Sequence, residues 1–237
     1  MVRRFNLVGN GRAGGSLHRA LTGKGWVGDS ILGRDDDLRD AAKDVDVCII
    51  AVSDSAIANV AGQIEPGDAV VVHLSGATPV GVLGSHRAAG LHPLTSLAEP
   101  ESGAELLASA FFAVGGDAIA EEMAELLSGK WFRIEDSDRA LYHAAAAVSA
   151  NHLVALLGQV ERMANEIDVP FEAFLPIVQS SIRNVAELGP AAALTGPAAR
   201  GDEETIAKHL GALRETMPDE VAAYEVLVAE ARRLADS

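Results

Sequence analysis

Gly9, Gly11 and Gly14 fall in the order G-x-G-x-x-G within GNGRAGGSLHRAL, straight after the apolar run RRFNLV. Between a strand and a helix this spacing has a physical logic. Gly9 permits a tight turn, Gly11 lets the backbone approach a pyrophosphate, and Gly14 lets the helix pack closely on the strand. The helix start adds N–H groups and positive potential for phosphates. Gly9, Asn10, Gly11, Arg12, Ala13 and Gly14 are therefore the expected cradle of a dinucleotide. A glycine turn without a ligand is the plain alternative.

About 20 residues further on, the second strand of such a unit ends where the ribose is read. Here that end is ILGRDDD. Gly33 leaves the carboxylate place empty, and Arg34 offers a guanidinium suited to a 2′-phosphate, which favours NADP(H). If the strand ran one residue longer, Asp35 would serve NAD instead. Arg12 can reach the same phosphate or simply be a solvated first-turn side chain. Further strand ends should line the crevice: AVSDSAI offers Val52, Ser53 and Asp54, and HLSGAT offers Ser75 and Gly76 near the nicotinamide end. Asp54 also reads as a helix N-cap. GLHPLTSL puts His92 before a proline, on a loop.

The elements needed to hold these residues are legible in outline. RRFNLVG, SILGR, DVCIIAV, DAVVVHLS, FFAVGG and WFRIE read as strands, with helical stretches such as GGSLHRALTGKG and SAIANVAGQI between them. Strand and helix in alternation predict a parallel, doubly wound sheet. After EDSD at 135–138 the pattern turns helical. DRALYHAAAAVSANHLVALLGQVERMANE predicts one helix from Asp138 to Glu166, apolar on every side and hence buried all round. His143 and Asn151 lie eight residues apart on it, about 80° around and about 12 Å along, so both can line one cleft. A second helix covers FEAFLPIVQSSIRNVAEL, kinked or divided at Pro176. A loop, LGPAAALTGPAARG, leads to helix DEETIAKHLGALRET, where Asp202 is a natural N-cap and Thr205 and His209 share a face. Thr195 and Arg200 are not required by a cap. The fold class is therefore α/β: a dinucleotide-binding domain of the Rossmann type over 1–136 and an all-α domain over 137–237.

Composition narrows the function classes. With 19 basic and 34 acidic residues the formal charge is -15, and the acidic excess runs through both halves. That is a poor match to nucleic acid or an anionic membrane. The seven histidines are scattered, so no metal site is expected. A single cysteine, Cys48, excludes an internal disulfide and suits a reducing compartment; inside DVDVCIIAV it reads as a buried strand residue. No secretory leader fits FNLVG, which is short and ends in glycine. AAAAVSANHLVALLG comes nearest to a membrane span but carries Asn151 and His152. A cytoplasmic protein is expected.

Together, GxGxxG, AVSDSAI, HLSGA, LHPL, YHAAAAVSAN and ALTGPAARGDEETIAKHL resemble the bacterial family of Rossmann-like proteins with a C-terminal domain of unknown function 2520, over nearly the whole chain. That family is similar to two-domain reductases whose helical domain is like that of 6-phosphogluconate dehydrogenase, among them β-hydroxyacid dehydrogenases, ketopantoate reductases, pyrroline-5-carboxylate reductases and deazaflavin-dependent NADP reductases. Some members are credited with ketopantoate reduction. The resemblance implies NADP-linked hydride transfer in an interdomain cleft and a homodimer through the helical domains. One departure matters. Many β-hydroxyacid dehydrogenases carry a lysine four residues before the helix asparagine, where this chain has Ala147, and the predicted long helix has no lysine.

His143 is the nearest replacement, with an ordinary pKa near ~6.5 that suits proton transfer. The expected reaction is NADPH-dependent reduction of a small carboxylate-bearing carbonyl compound, a 2-keto acid or one like ketopantoate. His143 donates the proton, Asn151 orients the carbonyl oxygen, Arg200 binds the carboxylate, and His92, Thr195 and His209 complete the substrate pocket. Two alternatives remain open: a reductase of a cyclic imine or redox cofactor, and a dinucleotide sensor without turnover.

Overall fold

VCII and VVVH offer no polar face until the final histidine, so strands made of them must be covered on both sides. The computed structural model describes residues 2–237 and places both in the middle of a seven-stranded sheet. The strands are β1 (Arg4–Val8), β2 (Val27–Leu32), β3 (Val47–Ile50), β4 (Val70–His73), β5 (Arg87–Leu94), β6 (Phe111–Gly116) and β7 (Trp131–Arg133), in the order β2-β1-β3-β4-β5-β6-β7. All neighbours pair parallel except β5 and β6. Helices α1 (Arg12–Gly23), α2 (Ile57–Ala61), α3 (Pro100–Leu107) and α4 (Ile119–Leu127) supply the cover.

Side-chain alternation along each strand sorts the core into two layers. Phe5, Leu7, Val47, Ile49, Val70 and Val72 pack with Leu17 and Leu21 of α1, Leu107 of α3 and Met123 of α4. Val8, Cys48, Ile50 and Val71 pack with Ile57 and Ala61 of α2 on the other face. Each fully buried Leu, Ile, Val or Phe contributes roughly 2 kcal/mol. Since α1 and α2 take opposite faces, the chain reverses its winding between β1 and β3, which is where open α/β sheets bind ligands. Cys48 is fully buried, as its strand context predicts.

Two compact units emerge, Met1–Ala150 and Asn151–Ser237, a later division than the 136/137 boundary read from the sequence. Residues 137–150 count with the sheet because Arg139 is fully buried there. The run Arg139–Glu166 is helical throughout, as α5 (Arg139–Ala147), a π-helical turn (Val148–His152) and α6 (Leu153–Glu166). The wider turn alters the 100°-per-residue step that related His143 to Asn151. Burial all round does not hold: Leu141 is 79% exposed, Val148 57% and Val154 70%. Periodicity registers apolarity and cannot say whether this chain or another covers it. By length and composition the run could cross a membrane, but it opens on a buried arginine ion-paired to Asp136.

The second unit continues through α7 (Leu175–Leu188), α8 (Pro190–Ala193), α9 (Pro197–Arg200), α10 (Glu203–Thr216) and α11 (Val221–Ala235). Pro176 sits in the first turn of α7 after a 3-10 turn at Phe171–Phe174, so it divides the segment. The expected loop 188–201 contains two four-residue helices, each opened by a proline whose missing N–H costs nothing there.

Candidate active site

Gly9 turns the chain out of β1 at φ +95°, its N–H donating to Leu32 O at 2.8 Å. A Cβ on Gly9 would lie 2.5 Å from Ala51 O, and one on Gly14 would lie 2.2 Å from Gly9 O. Only glycine lets α1 close onto β1 and β3. Gly11 is the reverse case: its Cβ would meet nothing within 4 Å, and it caps α1 without a side-chain bond. First-turn N–H groups have no partner inside their own helix, and no acidic side chain stands in that turn. Gly9 and Gly14 thus close the floor while Asn10, Gly11 and Arg12 leave the top open beside Ala13, a cradle that a pyrophosphate fits.

Leu32, Val8, Ile50, His73 and Gly90 lie in one row across the sheet. The loops beyond the first four of these leave the same edge. At strand spacings of about 4.8 Å, the end of β2 and the end of β4 are roughly 14 Å apart. Arg34 is exposed two residues past β2, while Gly33 N donates to Asp36 Oδ2 at 2.6 Å and offers no side chain. Asp35 is exposed as well. Past β3, Val52 lies against Gly9. Ser53, not Asp54, occupies the cap position of the 3-10 turn Asp54–Ala56, and no side chain caps it. The cap reading of Asp54 therefore fails: the helix start comes one residue early, which leaves Asp54 exposed within the turn.

Beyond β4 the chain turns on Ser75, whose hydroxyl donates to Thr78 Oγ1 at 2.9 Å and accepts from the N–H of Ala77 (3.2 Å) and Thr78 (3.0 Å). Ser75 is 7% exposed, so it shapes the loop and presents Gly76. A Cβ on Gly76 would lie 2.9 Å from His143 Cδ2 and 2.9 Å from His92 Cε1. Three residues predicted separately thus converge on one point. His92, however, lies in β5, opposite Ala113 of β6, and not on a loop. Gly90-Leu-His-Pro reads as a turn because proline cannot donate to a ladder. In the sheet, β4 ends opposite Gly90, so at Pro93 β5 has only β6 to pair with.

Tyr142 stood in the sequence without a partner. Its hydroxyl meets His92 Nδ1 at 2.6 Å, with ring centroids 5.5 Å apart and edge-on. His143 packs 6.0 Å from His92, and Phe132 lies 5.7 Å from the other side of Tyr142. Burial, then His143, and further Arg139 and His73 against an opposing Asp54, lower His92 to about 4. Burial raises Tyr142 to about 12 against an opposing Arg139. Both groups are neutral near pH 7.

Behind this cluster lies Arg139, fully buried. Its Nε donates to Asp136 Oδ1 at 2.8 Å, and Asp136 accepts from Val80 N at 2.8 Å. Burial raises Asp136, but the bonds from Val80, Arg139 and Gly81 outweigh it and hold the carboxyl below its ordinary value. Gly90 and Gly115 face each other across β5 and β6, and a Cβ on either would fall within 2.8 Å of Arg139 Nη2. Glycines inside strands signal such close approach, and that was the available clue. His73, fully buried, accepts from Ser75 N through Nδ1 at 3.2 Å. Burial, then Arg139, against Asp136 and Asp54, lower it to about 4.

In the helical unit, Asn151 is exposed on the π-helical turn. Thr195 lines an apolar groove of about 340 Å³ with Met163, Ile206, Tyr224 and Val228. Arg200 is exposed at the end of α9, where Gly201 adopts φ +65°. Asp202 is the N-cap the sequence promised, accepting from Thr205 N at 3.1 Å and Thr205 Oγ1 at 2.8 Å. Thr205 and His209 share a face of α10 as expected, with separate partners: His209 Nδ1 meets Tyr224 OH at 2.7 Å. Among the described residues no three His, Cys, Asp or Glu side chains converge as a metal would require.

Solved structures share this architecture. A candidate NADP oxidoreductase from Bacteroides fragilis is 22% identical, with 98% of each chain covered and a TM-score of 0.82. Protein TM1727 from Thermotoga maritima is 23% identical over 98% of each chain, with a TM-score of 0.77. A pyrroline carboxylate reductase from Plasmodium falciparum, solved with NADP bound, is 10% identical over 98% of each chain, with a TM-score of 0.64. At these identities the likeness establishes the fold. No curated protein matches the sequence. The profile of the domain of unknown function (DUF2520) matches residues 113–231, half of the chain, and the protein belongs to that family.

Proposed function

We propose that the protein is an NADP(H)-dependent oxidoreductase that reduces a small carboxylate-bearing carbonyl compound. The observation that carries this reading is the shared edge: an open glycine cradle at β1 and a histidine–tyrosine cluster at β4 and β5 flank the point where the winding reverses. The fold neighbours described with NADP agree with it. Gly9–Gly14 would hold the pyrophosphate, Arg34 the 2′-phosphate, and Val52, Ser53, Asp54 and the Ser75–Gly76 loop the remainder of NADP(H), which supplies hydride when bound.

His143, beside Gly76, is the proton donor in this reading, Asn151 orients the carbonyl, and Arg200 is the carboxylate anchor. Thr195 and His209 remain assigned to substrate. NADPH oxidation across a panel of 2-keto acids tests it, with His143→Ala beside wild type. Activity of the variant within about threefold of wild type would remove His143 from the donor role. A second reading, reduction of an imine, draws on His92: a neutral imidazole suits a substrate that arrives already protonated. Including cyclic imines in the panel separates the two, and Arg200→Ala should raise KM for carboxylate substrates alone.

The same proposal includes a homodimer through the helical unit and a cytoplasmic setting. Ile177, Ile182, Val185 and Leu188 of α7 and Val226 and Leu227 of α11 are all exposed, an apolar surface of the kind partners cover. Cys48 is a buried thiol pushed up to about 12 by its burial, compatible with a reducing compartment. Sedimentation at micromolar concentration should give twice the 24.6 kDa chain mass.

A further inference from the structure

The sequence assigned Tyr142 nothing, and the proposed reaction uses His143 as its donor, which leaves the 2.6 Å contact between Tyr142 and His92 without a role. We infer that Tyr142 is a positioning residue that fixes His92 as its Nε2–H tautomer, so that His92 presents a neutral N–H donor from the unpartnered side of its ring to polarise a substrate carbonyl. The inference rests on the reductase reading only for the identity of that acceptor.

Four observations carry it. A 2.6 Å contact matches an O–H donor, since N–H donors centre near 2.9–3.0 Å. The phenol is also the better acid and a bare imidazole nitrogen the better base, so the hydroxyl donates and Nδ1 accepts. With Nδ1 bare, the ring's proton must reside on Nε2. Both partners are held independently of the bond: His92 by the β5–β6 ladder and Tyr142 between His92 and Phe132. Finally, Nε2 has no hydrogen-bond partner among the described residues, yet it is not one of the side-chain nitrogens sealed from solvent, as His73 Nε2 is. One ring nitrogen is therefore committed and the other is unpartnered, while the ring turns Cε1 and Nδ1 toward Gly76. Burial, then His143 and further Arg139, oppose conversion to imidazolium, so the ring stays neutral near pH 7 and offers Nε2–H as a hydrogen-bond donor.

Two-bond ¹H–¹⁵N imidazole spectra of the whole chain test this directly, with internal references. His73 accepts a backbone N–H at Nδ1, and His86 donates from Nε2 to Ala61 O at 3.0 Å, so both should give the Nε2–H pattern. Wild-type His92 should show the same single pattern from about pH 6 to 8. Tyr142→Phe should turn it into a tautomer mixture while the His86 signals stay in place, and should lower kcat roughly tenfold or more with KM changed less than about twofold. His92→Gln, whose amide can stand near Nε2, should retain at least about fivefold more activity than His92→Asn, whose amide stands near Nδ1. A wild-type Nδ1–H pattern, or a tautomer indifferent to Tyr142→Phe, overturns the inference. The spectra need no substrate. If they show Nε2–H while no carbonyl is reduced, the tautomer assignment stands and the reductase reading fails.

Discussion

Both tyrosines of the chain hydrogen-bond a histidine, and the two pairs are closely similar in their local geometry. Tyr142 meets His92 at 2.6 Å with rings 5.5 Å apart and 84° inclined; Tyr224 meets His209 at 2.7 Å with rings 5.9 Å apart and 87° inclined. Their surroundings differ completely. The first pair joins β5 to α5 beside Gly76, His143 and buried Arg139. The second joins α10 to α11, with His209 exposed and an apolar groove beyond Tyr224. Hydrogen-bond geometry alone therefore does not make a site. What distinguishes the first pair is a buried histidine with one unpartnered ring nitrogen, packed against a second histidine and facing Gly76.

Acid should part the two regions most. His73, in the shell of the first pair, is lowered from 6.5 to about 4 by burial and then Arg139, against Asp136 and Asp54. Between those values the unfolded chain binds the proton and the folded chain does not, so stability rises with pH across the window. The contribution is complete above about pH 6.5 and lost as pH falls toward 4, on the order of 3 kcal/mol for this one fully buried ring. Urea unfolding at pH 7 and pH 5 measures it together with the like contribution of His92, and His73→Gln should reduce the difference by about half. An equal acid loss in that variant would break the assignment.

The next largest contrast is catalytic. His92→Ala should cost about hundredfold in kcat/KM, since it removes the polarising donor. His209→Ala should act through KM alone, raising it about threefold with kcat unchanged, as expected for a residue assigned to substrate. It should also cost about 1 kcal/mol of stability for the lost hydrogen bond between helices. An unchanged KM would remove His209 from the substrate. Gly76→Ala sharpens the point sterically: its Cβ would stand 2.9 Å from both the His92 and His143 rings. Displacing those rings should cost about 1–3 kcal/mol of stability, read as a lower denaturation midpoint, and should disturb the His92 spectrum.

This contrast explains what could be read from the sequence. The glycine cradle was legible because its spacing is local and each glycine answers a backbone demand. The Asp202 cap was legible for the same reason, its partner Thr205 being three residues away. The first histidine–tyrosine pair was not, since 50 residues separate its members and β5 was hidden behind a proline and a glycine. Arg139 escaped because EDSDR reads as solvent-facing charge; only the opposed Gly90 and Gly115 mark its slot. The fold class survived these omissions because the buried strands β1, β3 and β4 carry it. Cover for the long helix was misread from the apolar pattern, since apolarity names no partner.

The smallest prediction reverses sign between the two regions. Gly211 lies inside α10, two residues past His209, and a Cβ there would meet nothing within 4 Å. Glycine in a helix interior loses more backbone entropy on folding than alanine, by about 0.5–1 kcal/mol. Gly211→Ala should therefore stabilise the chain by that amount, while Gly76→Ala destabilises it. The midpoint of urea unfolding should rise with an unchanged slope. A decrease would mean that the α10 surface beside the second pair is covered in solution, for example by a second copy of the chain. Measuring the same variant across a range of protein concentrations separates these cases: an intrinsic helix effect persists at every concentration, whereas a covered surface would show its loss only where the chains associate.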